Sequence, residues 1–335
     1  MNNPIRLIGN FAHSGTGVAT SNYSLLKYLI QTDLDLEITN LDSIAEILPK
    51  IPMRRKIAYS LFLHPRGKNI HFLDPDSFKQ VKGAKIITTF YDLYVFDKRK
   101  RDFSIFGYLL NKTRQKKFDE AFKFSDLIMT ISTKTKEDLI KRYGEKYSRK
   151  IFVINAIIDD KFLKTDKKIK NKNTVIGYIN NFTWNKAEKL RVFIETFKNI
   201  KNASLRFNIY GKNFPFADLI KEDKRIQYLG FLPEDKIVQT LKEFDVYLST
   251  STIEGFGLPI MQAKACNVPV LCYDGDLPSI VKRNTLVWDD ANLSEIIKGR
   301  LWENFDVEKA SKDAEKCRSD EIIPKIIKVY NKVFT

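Results

Sequence analysis

One stretch of the chain reads Ser249-Thr-Ser-Thr-Ile-Glu-Gly-Phe-Gly-Leu-Pro-Ile-Met-Gln-Ala263. It predicts a strand that ends in polar residues, a turn that contains Glu254, and a helix that begins near Leu258. Gly255 and Gly257 allow the backbone conformations that a tight turn requires. A strand joined to a helix by such a turn is the repeating unit of a doubly wound α/β sheet.

The start of this helix is suited to an anionic ligand. Backbone amides at a helix N-terminus bind phosphate groups, so this turn can hold a diphosphate. Glu254 and Gln262 offer hydrogen-bond acceptors to sugar hydroxyls. The simpler interpretation is a strand–helix turn with a capping glutamate. The donor-binding candidates in this stretch are Gly255, Phe256, Gly257, Leu258 and Gln262.

A second glycine turn, Ser14-Gly-Thr-Gly-Val18, follows the predicted strand Ile5–Ile8 and opens a helix. Its residues Gly15, Thr16 and Gly17 can bring backbone amides close to a phosphate. A tight turn alone also explains two glycines. The full Gly-x-Gly-x-x-Gly pattern is absent, which counts against a dinucleotide-dependent dehydrogenase.

Predicted strands alternate with amphipathic helices along the whole chain of 335 residues, a length that suggests two domains. The polar segment Lys164–Asn173 is the best linker candidate. We therefore predict an α/β protein with two Rossmann-like doubly wound domains at 1–165 and 166–320. In the second domain a helix is predicted over Glu188–Ile200.

Composition narrows the class of protein. The 57 basic and 41 acidic residues give a net charge of +16, which indicates an anionic partner. The three cysteines and three histidines form neither a disulfide framework nor a Cys/His metal site. No apolar run approaches the ~18 residues that span a bilayer, so a cytoplasmic location is expected.

The segment Lys98–Lys117 combines eight basic residues and one acid with aromatic and aliphatic side chains. Such a segment can lie at an anionic membrane surface, close to a lipid-linked acceptor. A solvated basic helix face with core aromatics explains it equally well. A peripheral position on the inner face of a membrane is therefore one expectation for this protein.

The stretch around Glu254 resembles the Glu-x7-Glu signature of glycosyltransferase family 4, the retaining GT-B enzymes. Similar segments extend over nearly the whole chain. They are Gly15–Asn22, Ser125–Leu139, Lys150–Asp159, Tyr228–Pro233 and Asn267–Val270. The resemblance implies a GT-B fold, in which two Rossmann-like domains face each other across a cleft. It also implies that residues 321–335 form a helix that packs back on the first domain.

The resemblance further implies a retaining hexosyltransferase that uses a nucleotide sugar, needs no metal or other cofactor, and modifies a glycan, lipid-linked or protein acceptor. The leaving diphosphate would act as the base. In this pattern Glu254 contacts the donor sugar, Gln262 stands for the second glutamate, and Asn181 and Lys186 align with the cationic pair on the diphosphate. Glu254, Lys186 and Tyr91 are the catalytic candidates that the resemblance implies; Tyr91 aligns with the histidine of a His-Asp turn that lies near the transferred sugar. The acceptor-side candidates are Asp92 in the same turn and His13 in the first-domain loop.

Alternatives remain at this stage. A non-catalytic GT-B subunit that binds a glycan or a partner transferase is favoured by Asn181, Gln262 and Tyr91. A sugar-nucleotide epimerase requires more carboxylates and histidines than the cleft offers, and no motif supports a nucleic-acid binder. Asp74-Pro-Asp76 and Asp274-Gly-Asp276 look like Asp-x-Asp metal motifs, but no metal is expected because helix N-termini and Lys186 supply positive charge.

Overall fold

The computed structural model of the protein describes residues 3–11, 17–46, 62–97, 105–163 and 172–335. The chain divides into two compact units, the first made of Met1–Ile157 with Ser319–Thr335 and the second of Ile158–Arg318. This division lies ahead of the boundary predicted after residue 165. Phe162 belongs to the second unit, where its carbonyl accepts a hydrogen bond from the thiol of Cys266 at 3.6 Å.

The predicted linker at 164–173 lies outside the described residues except for its last two positions. Positions 12–16, which include His13, Gly15 and Thr16, also lie outside them. The same is true of 98–104, the start of the basic segment.

The first unit contains a six-stranded sheet in the order β2-β1-β3-β4-β5-β6, and every neighbouring pair of strands is parallel. Its strands are β1 Ile5–Gly9, β2 Leu36–Asn40, β3 Asn69–Phe72, β4 Lys85–Phe90, β5 Leu127–Thr130 and β6 Ile151–Val153. Its helices are α1 Gly17–Leu29, α2 Leu41–Glu46, α3 Ile105–Phe124, α4 Thr133–Tyr143 and, from the C-terminal segment, α13 Ser319–Phe334.

The second unit repeats the design with a six-stranded parallel sheet in the order β12-β11-β10-β7-β8-β9. Its strands are β7 Thr174–Ile179, β8 Leu205–Tyr210, β9 Ile226–Tyr228, β10 Val246–Ser249, β11 Val270–Tyr273 and β12 Leu286–Trp288. Its helices are α5 Asp160–Leu163, α6 Trp184–Asn199, α7 Ala217–Ile220, α8 Glu234–Lys242, α9 Leu258–Ala265, α10 Ser279–Lys282, α11 Leu293–Gly299 and α12 Val307–Glu315.

Parallel strands that are buried on both faces explain why the pattern could be predicted. In β10 all four residues are buried, as continuous apolar runs in a covered parallel sheet should be. The aromatic residues Phe193, Phe207 and Trp288 fill the core of the second unit. The predicted doubly wound α/β architecture is confirmed. Helices α11 and α12, which are only seven and nine residues long, were not predicted.

Helix α13 packs on the first unit through an apolar face that includes Ile322 and Ile326. A buried polar contact accompanies it: His71 Nδ1 lies 2.7 Å from the hydroxyl of Tyr330, and His71 Nε2 lies 2.8 Å from Thr89 Oγ1. Burial lowers the pKa of His71 from 6.5 to about 3. The imidazole is therefore neutral when the unit is folded at neutral pH.

We expect this histidine to make the first unit sensitive to acid. Since its pKa is lower in the folded state, its contribution to stability is complete above pH 6.5 and is lost as the pH falls toward 3. The slope is at most about 1.4 kcal/mol per pH unit. Urea unfolding from pH 7.5 to 4, with hydrogen exchange of α13 peptides, measures it. His71→Gln should flatten the slope, whereas Tyr330→Phe should keep it because the imidazole remains buried.

Candidate active site

The second sheet has a topological switch point between β10 and β7. The chain runs outward from β7 through β8 to β9 and then crosses to β10 on the other side of β7. In open α/β sheets, the crevice beyond the carboxyl ends of such a strand pair is the usual ligand site. Two segments lie there, the residues that follow Ile179 and those that follow Ser249.

An ion pair joins these two segments. Lys186 Nζ lies 2.9 Å from Glu254 Oε1, and the two side chains are only 13% and 14% exposed. Lys186 also donates a hydrogen bond to Asn180 Oδ1 at 3.0 Å. The hydroxyl of Ser251 donates to the same Glu254 oxygen at 2.8 Å. The two residues predicted to bind the diphosphate and the donor sugar are thus in direct contact.

The start of α6 explains how Lys186 reaches this position. The helix begins at Trp184, ahead of the predicted start at Glu188, with Thr183 at its N-cap position. Lys186 therefore lies in the first turn of the helix. The carbonyls of Asn185 and Lys186 accept hydrogen bonds from Thr252 N at 2.9 Å and from Thr250 Oγ1 at 3.0 Å. These bonds hold the helix against the strand-to-helix segment.

The turn that carries Glu254 is supported by the segment after β11. Glu254 N donates to the carbonyl of Asp276 at 3.3 Å, and Asp276 N donates to the carbonyl of Thr252 at 2.9 Å. Gly275 directly precedes Asp276, and a Cβ atom on it would be 2.5 Å from the carbonyl oxygen of Ser251. Any other residue at 275 would push this support away from the turn.

Helix α9 begins where the sequence predicts, directly after this turn. Gly257 precedes it in a left-handed conformation, with φ 84° and ψ 48°. A Cβ atom there would also lie 3.0 Å from Val281. Gly255 and Phe256 are buried, whereas Leu258 and Gln262 are partly exposed. Only residues 255–257 separate Glu254 from the first residue of α9, so the turn that carries the ion pair leads directly into the start of this helix.

A buried lysine of the same helix, Lys264, connects α9 to the neighbouring segment. The Lys264 ammonium is fully buried and donates to the carbonyls of Arg283 at 2.6 Å and Ile280 at 3.2 Å. Asp313, also buried, lies 3.7 Å from it. Burial lowers the pKa of Lys264 to about 8. These contacts tie α9 to α10, whose Val281 faces Gly257.

The first unit contains the remaining predicted residues that the structure describes. Tyr91 follows β4, is 8% exposed, and donates its hydroxyl hydrogen to Asn22 Oδ1 of α1. Burial, and then the nearby carboxylate of Asp74, raise the pKa of this hydroxyl well above its usual value. Asp92 Oδ1 accepts a hydrogen bond from Tyr94 N at 2.8 Å, and Gly17 begins α1. Tyr91 therefore connects α1 to the end of β4.

The two Asp-x-Asp sequences are engaged in contacts within the protein. Asp76 receives three hydrogen bonds of 2.6–2.9 Å from the guanidinium of Arg114, and Asp74 Oδ1 accepts from the amide of Asp76. Burial and the Asp76 carboxylate raise the pKa of Asp74. In the second unit Asp274 pairs with Lys282. Among the described residues no group of three or more potential metal ligands occurs.

Sequence reasoning missed Asn180 and Ser251, which complete the polar site around the ion pair. Both follow a predicted strand, and polar residues at the carboxyl end of a buried parallel strand are the signal that could have identified them. The sequence analysis named Asn181 instead. The backbone N–H of Asn181 donates a hydrogen bond to Asn180 Oδ1 at 3.0 Å.

The site can now be compared with known proteins. Residues 173–301 match the family described as Glycosyl transferases group 1. This match contains the whole Lys186–Glu254 site and α9. The second unit is therefore similar in sequence to the group 1 glycosyltransferases.

Solved structures share the fold of the whole chain. Sucrose-phosphate synthase from Thermosynechococcus elongatus superposes with a TM-score of 0.74 at 15% identity, covering 99% of both chains. Anabaena Alr3699/HepE in complex with UDP and glucose gives a TM-score of 0.69 at 15% identity, covering 99% of this chain and 100% of that one. The GT-B fold class predicted from the sequence is confirmed.

Curated relatives match parts of the chain. The phosphatidylinositol N-acetylglucosaminyltransferase GPI3 subunit of Saccharomyces cerevisiae is 24% identical over 187 residues, which are 52% of this chain and 41% of that protein. The O-antigen chain mannosyltransferase B of Escherichia coli is 36% identical over 72 residues, 21% of this chain and 19% of that protein. The chain thus spans less than half the length of each of these relatives.

Proposed function

We propose that this protein is a retaining glycosyltransferase that moves a hexose-type sugar from a nucleotide-sugar donor to a glycan, lipid-linked or protein acceptor. The observation that carries the proposal is the Lys186–Glu254 site at the switch point of the second sheet, beside the N-terminus of α9. The site combines a cation and helix amides for a diphosphate with a carboxylate for sugar hydroxyls. It lies within the segment that matches the group 1 glycosyltransferases.

Each group in the site has a proposed role. Lys186 and the amides near Gly257 bind the diphosphate, and Glu254 accepts a hydrogen bond from a hydroxyl of the donor sugar. Gln262, on the next turn of α9, faces the ribose. Anabaena Alr3699/HepE, which has a similar fold, was solved in complex with UDP and glucose. This complex supports a nucleotide sugar as the donor here.

In the proposed reaction the bond between the anomeric carbon and the diphosphate oxygen breaks, and a bond to the acceptor oxygen forms on the same face of the sugar. The leaving diphosphate takes the acceptor hydroxyl proton. Lys186 and the α9 amides stabilise the negative charge that develops on the diphosphate, the electrostatic effect that usually dominates such chemistry. Glu254 holds the sugar in the orientation that this attack needs.

The class of acceptor stays open within this proposal. The matched relatives are named for transfer to phosphatidylinositol, to an O-antigen chain and to a peptide. Those names cover a lipid, a glycan and a protein acceptor, and the matched segments span less than half of each relative. They support sugar transfer in general.

A thermal-shift screen with UDP, GDP and ADP sugars tests the donor, because a ligand that binds only the native state raises its apparent stability. A CMP sugar, which has no diphosphate, is included as the comparison ligand. The best ligand is then incubated with the purified protein, and release of the nucleoside diphosphate is measured. Nuclear magnetic resonance of the transferred sugar shows whether the anomeric configuration is retained. A protein that neither binds nor consumes any of these donors contradicts the proposal.

A second candidate is a non-catalytic subunit that binds a glycan or a partner transferase. The buried Tyr91, fixed by Asn22, favours it, because a hydroxyl held inside the first unit is poorly placed to act on a substrate. Binding of a nucleotide sugar without release of the diphosphate distinguishes this candidate from the enzyme.

The exposed face of α3 supports the proposed contact with an anionic membrane. Tyr108 and Leu109 are 58% and 57% exposed, and Lys112 and Lys116 follow on the same face. Arg114 and Lys117 instead bind Asp76, so only part of the basic segment is available. Within the described residues, none of the helices combines the length and apolarity needed to cross a bilayer.

We expect the protein to co-sediment with liposomes that contain anionic lipid, and less so with neutral liposomes or at high salt. Each exposed lysine contributes about 1 kcal/mol near such a surface. Lys112→Ala with Lys116→Ala should therefore weaken partitioning roughly 30-fold. Lys141→Ala with Lys146→Ala is the matched control on another exposed surface of the same unit. Equal loss in both double variants contradicts a role for the α3 face.

A further inference from the structure

The Lys186–Glu254 pair couples two groups that the proposed function assigns to different parts of the donor. Glu254 Oε1 has two partners, Lys186 Nζ at 2.9 Å and Ser251 Oγ at 2.8 Å. Lys186 keeps a second partner, Asn180 Oδ1 at 3.0 Å. Loss of Glu254 thus leaves the ammonium attached to Asn180 and still directed at the site.

A diphosphate bound by Lys186 comes close to the Glu254 carboxylate. The diphosphate and the Glu254 carboxylate are both anionic, so they repel each other when both bind the Lys186 ammonium. The side chains of Lys186 and Glu254 are largely shielded from water, which strengthens this repulsion. A neutral sugar hydroxyl, by contrast, gives the carboxylate a new hydrogen bond. In the intact donor, a sugar hydroxyl therefore replaces Lys186 as the hydrogen-bond partner of Glu254. A nucleoside diphosphate has no such hydroxyl to offer.

We propose that Glu254 exchanges Lys186 for the donor sugar when the nucleotide sugar binds, and returns to Lys186 after transfer. Because the returning carboxylate competes with the diphosphate for the ammonium, the pair promotes release of the nucleoside diphosphate product. This inference rests on the proposed function. It adds a role for Glu254 in distinguishing the substrate from the product.

The inference predicts opposite effects of one substitution on two ligands. Glu254→Gln keeps the shape of the side chain but removes its charge. It should tighten binding of the nucleoside diphosphate roughly three- to tenfold, the range of a partly shielded ion pair. Binding of the corresponding nucleotide sugar should weaken. The tightening should shrink at high salt, since screening reduces the repulsion.

Isothermal titration calorimetry with UDP, GDP and ADP, and then with the sugar nucleotide of whichever diphosphate binds, provides the test. Glu195→Gln is the matched control, because it removes one negative charge from an exposed position of α6. Glu254→Asp is a second variant that keeps the charge and lengthens the distance to Lys186. It should tighten the diphosphate less than Glu254→Gln does.

An unchanged or weaker affinity of Glu254→Gln for the diphosphate overturns the inference while leaving the proposed function intact. Equal tightening in Glu195→Gln also overturns it, because the effect is then one of net charge. If the wild-type protein binds none of the three diphosphates, the inference fails together with the proposed function. Stronger product inhibition of the residual transfer by Glu254→Gln supports it further.

Discussion

Replacing Glu254 with alanine is expected to reduce sugar transfer by about 100-fold or more, the size of the effect when one oriented hydrogen-bonding group at a reacting centre is removed. The carboxylate lies beside Lys186 at the switch point of the second sheet and is held by Ser251. Without it, the donor sugar loses the partner that orients it for attack. The rate of transfer under saturating donor, measured from product formation, gives the result.

Binding of the nucleoside alone should be unaffected by Glu254→Ala, because its base and ribose do not contact this carboxylate in the proposed arrangement. A fully active Glu254→Ala protein would remove this residue from the donor site. Loss of nucleoside binding as well would point to a misfolded turn.

Replacing Lys186 with alanine is expected to weaken nucleoside diphosphate binding by roughly 10- to 100-fold, which corresponds to about 1.5–3 kcal/mol for a hydrogen bond to a charged group. The ammonium lies 2.9 Å from Glu254 Oε1, in the turn that leads into α9, and 3.0 Å from the neutral side chain of Asn180. Calorimetry with the diphosphate and with the nucleoside compares the two affinities.

Lys189→Ala is a closely matched control for this variant. Lys189 lies on the same helix, is similarly shielded at 12% exposure, and pairs with Asp290 at 2.7 Å. It should leave diphosphate binding unchanged. If Lys186→Ala reduces the affinity for the nucleoside and the diphosphate equally, Lys186 has no specific role at the phosphates.

The sequence predicted the strand, turn and helix around Glu254 well, because each depends on neighbours within a few residues. The helix at Leu258 begins where the glycines and the apolar pattern place it. The contact between Lys186 and Glu254 depends instead on the order of strands, which puts β10 beside β7. The family resemblance assigned both residues to the donor, but local pattern contains no information about that crossover, so their direct contact could be identified only from the structure.

In the basic segment Lys98–Lys117, too, the helix could be predicted from local sequence, whereas its contacts with other elements could not. Its residues predict a charged amphipathic helix, and α3 is present from Ile105 to Phe124. Asp76, which belongs to another element, accepts hydrogen bonds from Arg114 and Lys117. This contact decides which basic side chains of α3 can interact with a membrane, and local sequence pattern does not reveal it. His13, Gly15 and Thr16 lie outside the described residues and stay predictions.

The assignment of α13 to the first unit has a consequence for synthesis of the protein. The second unit, Ile158–Arg318, is one continuous segment, whereas the first needs both Met1–Ile157 and Ser319–Thr335. On the ribosome, every residue of the second unit emerges before Tyr330 can reach His71. The unit that is translated first is therefore the last to complete its core, and until then the apolar surface beneath α13 is exposed to chaperones and to aggregation.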